Sequence, residues 1–211
     1  MTQLPLPLSW PADPTDDDFL ISSSNDHAAL HLRRWGAWPV MTTLLVGPRK
    51  SGRSTLARLF AQQSSGRIID DAERVGETAL FHAWNAAQAE RRPLLIVAEA
   101  PPPDWQIRLA DLRSRLAATP VARIGPPDDA LMAALFERAF LRRRLDARRD
   151  LIDWLVARVD RSHIAIERTV DALDEAALAN RKRLSITLAR TTMTAAGLLS
   201  APRPESDESN A

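Results

Sequence analysis

The chain has no cysteine, which excludes disulfides and thiolate zinc sites and makes a reducing cytoplasm the expected compartment. Its histidines, His27, His31, His82 and His163, form no compact ligand cluster, so no imidazole-held metal is expected. No stretch approaches the roughly 20 apolar residues of a membrane span. The beginning, with Asp13, Asp16, Asp17 and Asp18, lacks the pattern of a secretory signal. Net charge is nearly absent too, at +1 from 28 basic and 27 acidic residues, which argues against nucleic-acid binding driven by bulk charge. The local exception, Arg142, Arg143, Arg144, Arg148 and Arg149, reads as a solvated helix face. At 211 residues the chain suits one domain with a small appendage and is ample for a buried core.

What is present centres on Gly47-Pro48-Arg49-Lys50-Ser51-Gly52-Arg53-Ser54, between the apolar Met41–Val46 and the amphipathic Thr55–Gln63. A strand, a glycine-bounded turn and a helix are the context that a phosphate-binding loop requires. Backbone N–H groups of such a loop form an anion nest at the helix N-terminus, and Ser54 offers a hydroxyl to Mg²⁺. Arg53 stands where lysine is usual, and its planar fork is bulkier than an ammonium. The expectation is nucleotide binding with weak or absent turnover; an ordinary strand–turn–helix fits the same residues.

Periodicity organises the remainder. Residues 1–18 are proline- and aspartate-rich and read as a flexible arm. Asn25–Arg34 reads as a short helix with Asn25 as N-cap. Strands are expected at Thr42–Val46, Arg67–Ile69, Pro93–Val97 and Val121–Ile124. Helices are expected at Ser54–Gln63, Glu77–Glu90 (with Leu80, Trp84 and Ala87 on one stripe) and Trp105–Leu116. Strands alternating with helices imply a parallel sheet. After Pro126-Pro127 the pattern becomes helical, at Asp128–Leu141, Asp146–Val159, His163–Asn180 and Ser185–Leu198, with Asp128 and Ser185 as caps. The expected organisation is a flexible arm (1–18), an α/β core (19–126), a helical bundle (127–199) and a disordered tail (200–211).

Three further groups carry chemistry. Ile68-Ile69-Asp70-Asp71 places carboxylates at a strand end, where Asp70 would hold Mg²⁺ and Asp71 could polarise water; a polar turn is the plain alternative. Leu112-Arg113-Ser114-Arg115-Leu116 ends a helix, where an arginine can project from the surface toward another molecule's phosphate; two ordinary surface arginines fit equally. Gln3-Leu4-Pro5-Leu6-Pro7-Leu8 is a pre-extended segment whose leucines can fill pockets on a partner.

Together these residues resemble the DnaA-like AAA+ ATPases, and within them the Hda regulatory group, from about Phe19 to Leu198. Gly47–Ser54 and Thr55 correspond to Walker A, and Ile68–Asp71 to Walker B. Phe19-Leu20-Ile21 with Ser24-Asn25 looks like the linker that lies against adenine, so Phe19, Ile21 and Asn25 join the nucleotide-binding set. Ser114-Arg115-Leu116 matches the box holding the arginine finger, and Gln3, Leu4, Leu6 and Leu8 match the motif for docking on the DNA polymerase sliding clamp. Arg161–Leu173 followed by Leu184–Thr187 looks like the helical lid. The resemblance implies an α/β AAA+ P-loop core, shortened by one edge strand–helix pair between Gln63 and Arg67, with a C-terminal lid. It departs at Val97-Ala98, where a small polar sensor is usual, at Ile164, where the lid would supply an arginine that the nearby Arg161 could replace, and at Arg53.

The implied function is negative regulation of replication initiation. Docked on the clamp, the chain would present Arg115 in trans to ATP held by the DnaA initiator, itself holding ADP or ATP with Mg²⁺ through Ser54 and Asp70. On this reading it is an ATPase activator with little turnover of its own. A homodimer stays open, while a membrane and sequence-specific DNA, for lack of foldable sequence after Leu199, are not expected partners. Two other readings remain: a P-loop ATPase or nucleotide kinase in its own right, and a nucleotide-free clamp-binding scaffold.

Overall fold

A computed structural model of the chain describes residues 19–180 and 182–199. The contact pattern divides these into two units, one ending at Pro126 and the other beginning at Pro127.

The first unit is built on four parallel strands: β1 (Thr42–Val46), β2 (Arg67–Ile69), β3 (Leu94–Ala98) and β4 (Val121–Arg123), in the order β2-β3-β1-β4. The central strands β1 and β3 are buried throughout, as near-continuous apolar runs require in a sheet covered on both faces. They pair in register from Thr42 with Leu94 to Val46 with Ala98. Alternate residues feed two cores. Leu45, Leu95, Val97 and Ala122 pack with α1 (Asp26–Arg33) and α2 (Arg53–Ser64). Leu44, Val46, Leu94 and Ile96 pack on the opposite face with α3 (Glu77–Glu90) and α4 (Ala110–Ala117). Two buried threonines in β1 follow the same alternation: the Thr43 hydroxyl meets His31 Nε2 at 3.0 Å, and the Thr42 hydroxyl accepts from Gln88 Nε2 at 3.1 Å.

Between the end of α2 and the start of β2 lie only Ser65 and Gly66, so the chain passes directly into the edge strand. β2 pairs with β3 alone and is half-buried along its length. An edge position is where a strand–helix pair can be absent without breaking an interior ladder.

The second unit comprises α5 (Asp129–Arg142), α6 (Arg149–Val156), α7 (His163–Asn180) and α8 (Ile186–Ala195). Its core holds Phe136, Phe140, Leu155, Val159, Val170 and Met193. Asp128 and Ser185 cap their helices, accepting from Leu131 N at 2.7 Å and Leu188 N at 3.2 Å.

Several local expectations are corrected. Helix α4 begins at Ala110 rather than Trp105, because the Arg108 and Leu109 amides donate to the Glu77 carboxylate at 2.9 and 2.7 Å instead of entering a helix. Both bonds hold the Glu77 pKa below the ordinary glutamate value, Arg108 foremost. Helix α6 begins only at Arg149. Asn25 stands at the N-cap of α1 without bonding to it; it accepts from Ser22 N at 3.0 Å and donates to Leu20 O at 2.9 Å. The arginine run is an exposed helix face only at its two ends, where Arg142 closes α5 and Arg149 opens α6; Arg143, Arg144 and Arg148 lie in the connection. Arg143 pairs with Asp171 and Asp174, Arg148 with Asp150, and Arg149 with Glu137 and Asp153.

Candidate nucleotide site

In an open parallel sheet, ligands gather outside the C-terminal strand ends, and here the loops after β1, β2 and β3 are tied together. Gly47–Gly52 leaves β1 and enters α2. Gly47 is buried where a Cβ would come within 2.9 Å of the Ile124 carbonyl oxygen and 3.2 Å of Ser51 Oγ, so only glycine lets the loop close over the end of β4. Lys50 and Gly52 both have positive φ, +62° and +87°. Such reversals of backbone hand turn successive N–H groups toward one concavity. Gly52 is the N-cap of α2, and no side chain caps that helix, so its first-turn N–H groups face the loop unpaired by side chains.

Ser51 packs beneath the loop, beside Gly47. It is 2% exposed, and its hydroxyl has no hydrogen-bond partner. A buried, unpaired polar atom is uncommon and points to a missing partner. The positive-φ turn at Lys50 and Gly52 offers the backbone donors that an anionic phosphate needs, so the residues present fit a nucleotide.

Ser54, in the first turn of α2, donates to Asp70 Oδ2 at 2.8 Å. Since β3 lies between β1 and β2, that bond spans the end of the intervening strand. The other oxygen, Oδ1, accepts from Asp71 N at 2.9 Å. Asp71 takes a left-handed conformation, with φ of +48°, a geometry that aspartate tolerates. A hydroxyl paired with a carboxylate is a donor set suited to Mg²⁺, which takes few protein oxygens and completes its shell with phosphate and water.

Two contacts not foreseen from sequence complete the frame. Arg49 of the loop pairs with Glu99 at 3.4 Å, and Glu99 N donates to the Glu73 carboxylate. No local pattern links residues so far apart; only the strand order brings them together. Val97 and Ala98 are wholly buried, so the end of β3 offers no polar side chain before Glu99.

The remaining expected nucleotide-binding residues brace the loop. The Phe19 ring lies against Gly52, whose hypothetical Cβ would sit 2.9 Å from Phe19 Cε2. Phe19 and Ile21 pack on the core shared by α1 and α2. Buried Asn25 fixes the turn that joins them to α1, and Ser24 O accepts from Gly125 N at 2.8 Å. Pro48, Arg49 and Lys50 are exposed, while Arg53 and Thr55 are half-exposed at the start of α2.

Arg115 is not brought to this site. The chain leaves the C-terminal end of β3, reverses through α4 and enters β4, and Arg115 lies in the last turn of α4. It therefore sits toward the N-terminal side of the sheet, while the loop sits at the C-terminal side. Its guanidinium is half-buried over the rings of Phe81 and Trp84, at 5.0 and 4.8 Å from their centres, with no carboxylate partner among the described residues. Arg113 donates to Ile107 O at 3.2 Å. In the second unit Arg161 donates to Asp129 at 2.7 Å, and Ile164 is half-buried. Gln3, Leu4, Leu6 and Leu8 lie outside the described residues. Among the described residues, no helix is long and apolar enough to cross a membrane, and no group of three or more His, Cys, Asp or Glu could hold a metal.

No protein-family model matches the chain. Solved structures do. Domain III of the Thermotoga maritima replication initiation protein DnaA superposes with a TM-score of 0.67 at 16% identity, over 88% of this chain and 98% of that one. RuvB of Thermotoga maritima gives 0.61 at 16% identity, over 82% and 68%. A replication initiator DnaA bound to AMPPCP and single-stranded DNA gives 0.59 at 14% identity, over 80% and 69%. What this chain shares with DnaA domain III and RuvB is the α/β P-loop fold of the AAA+ proteins.

Proposed function

We propose that this protein is an Hda-type negative regulator of replication initiation, which stimulates ATP hydrolysis by the DnaA initiator by lending it Arg115. The observation that carries the reading is the placement of Arg115: paired with no carboxylate among the described residues, and at the far end of the crossover from the chain's own phosphate loop. An arginine so placed is out of reach of its own nucleotide, yet available to a site on another molecule. There its planar donors would stabilise charge developing on the transferring phosphoryl group, a contribution worth about 10³–10⁵-fold in rate for an arginine supplied in trans.

The chain's own site serves a structural purpose in this reading. The Gly47–Thr55 loop would hold the phosphates of ADP or ATP, and Ser54 with Asp70 would hold Mg²⁺, which when bound neutralises phosphate charge. Arg53 in place of lysine, and the apolar Val97-Ala98, favour retention of ADP over turnover. The segment Gln3–Leu8 would dock on the sliding clamp and so confine the activity to clamp-loaded DNA. The Ser54–Asp70 pair favours a second reading, an ATPase acting for itself, which predicts intrinsic turnover that Asp70→Asn removes.

The test is hydrolysis of ATP by the cognate initiator with this protein and a DNA-loaded clamp. Arg115→Ala should abolish stimulation and leave clamp capture intact; removal of residues 1–8 should abolish clamp capture and the stimulation that depends on it. Identical effects of the two changes on both readouts would refute this division of roles.

A further inference from the structure

Arg115 is gripped from both ends by one neighbouring helix. Its guanidinium carbon lies over Phe81 and Trp84, one helical turn apart on α3. The Trp84 indole N–H donates to the Thr119 hydroxyl at 3.1 Å, and that hydroxyl donates to the Arg115 carbonyl oxygen at 2.8 Å. The contacts close a circuit in which Trp84 fixes the head of Arg115 through its ring face and the backbone of Arg115 through Thr119. The circuit stands on firm ground. Helix α3 buries Leu80 and Ala87, and its Gln88 holds β1 by accepting from Met41 N at 2.9 Å and donating to the Thr42 hydroxyl.

An aromatic grip differs from an ion pair in what it leaves available. A carboxylate would occupy the guanidinium donors and offset its charge. A ring face takes only the flat side and leaves the N–H edges and the full charge in place. Arginine otherwise carries large rotamer freedom, and catalytic groups lose effect when misplaced by as little as about 1 Å.

We infer that Trp84, supported by Phe81 and Thr119, is a positioning residue that holds Arg115 oriented for use on another molecule. The inference rests on the proposed role of Arg115 in trans. It adds what that role leaves open: which residues make a surface arginine into an ordered donor.

The test combines stimulated initiator hydrolysis over a range of regulator concentrations with the NMR resonance of the Arg115 Nε–H group, assigned by its loss in Arg115→Lys. In the wild type the ring faces should shift that resonance upfield. Trp84→Leu should return it toward the free-arginine position and lower the maximal stimulated rate about tenfold or more, with the half-saturating concentration unchanged. Trp84→Phe, which restores a ring face, should recover most of the rate and of the shift. Thr119→Val should lower the maximal rate less than Trp84→Leu, and it provides a milder break if loss of the indole lowers the yield of folded protein. A Trp84→Leu protein with the wild-type maximum refutes the role. So does a higher maximum, which would make the rings a trap, and so does a change confined to the half-saturating concentration, which would make Trp84 a docking contact. A wild-type protein that fails to stimulate refutes the proposed function and this role with it; a stimulating wild type with an unaffected variant refutes the role alone.

Discussion

Gly52→Ala probes the joint between the phosphate loop and the segment that precedes α1. Gly52 has φ of +87°, and a Cβ there would lie 2.9 Å from Phe19 Cε2 and 3.2 Å from Cδ2. Left-handed backbone costs an L-residue about 1–2 kcal/mol relative to glycine. Forcing the ring aside is an overpacking change, and Phe19 has little room because it packs with Ile21 on the core of α1 and α2; such changes cost about 1–3 kcal/mol. The sum is about 2–5 kcal/mol. For a unit of about 100 residues, 1 kcal/mol shifts the melting temperature by about 4–8 °C, so a fall of at least about 8 °C is expected by calorimetry. The two contributions separate in a double-mutant cycle with Phe19→Ala. Removing the ring relieves the overpacking but not the backbone cost, so the double variant should be less destabilised than the sum of the singles by about 1–3 kcal/mol. Strict additivity would show that Phe19 does not bear on Gly52. A single variant that melts with the wild type would refute the loop geometry.

Ser54→Ala removes an exposed hydrogen bond to Asp70, so stability should change by under about 1 kcal/mol, while calorimetric titration should show that Mg²⁺ no longer strengthens nucleotide binding. Asp128→Ala removes the cap of α5 and should cost about 1 kcal/mol, read as earlier melting of the helical unit. Glu77 has a pKa lowered in the fold by the Arg108 and Leu109 amides, so its contribution is complete above the unfolded-state value and is lost as pH falls through the folded one. Glu77→Gln should therefore lower the melting temperature at neutral pH and flatten its fall through the acid range. His31 is pushed down by burial, so its protonation opposes folding. Stability should decline as pH falls through its folded value, and His31→Gln should remove that part of the decline.

The parts of the fold that declare themselves in sequence are those fixed by local or periodic chemistry. Pro93–Val97 reads as a buried strand because it is apolar, and the strand found there is Leu94–Ala98; Asp128 and Ser185 read as caps because a cap is a local bond. The phosphate loop is legible for the same reason, since glycine spacing and flanking elements lie within one short stretch. Elements governed by distant partners are not legible. Trp105–Leu109 has helical spacing, yet Glu77 takes two of its amides. Asn25 is the right residue for a cap and spends its side chain on Leu20 and Ser22 instead. The Arg49–Glu99 pair and the contact of Glu99 N with Glu73 depend on strand order, and the unpaired Ser51 hydroxyl depends on burial. The setting of Arg115 was half visible: the Leu80, Trp84 and Ala87 stripe marks the buried side of α3, but nothing in it shows that the indole edge reaches Thr119.

Single-turnover hydrolysis of radiolabelled ATP by the cognate initiator, in the presence of DNA-loaded clamp and either the wild-type protein or Arg115→Ala, decides whether Arg115 acts on the initiator's nucleotide. The proposed role of Arg115 requires acceleration by orders of magnitude with the wild type and the unstimulated rate with the variant. Equal acceleration by both proteins would contradict it.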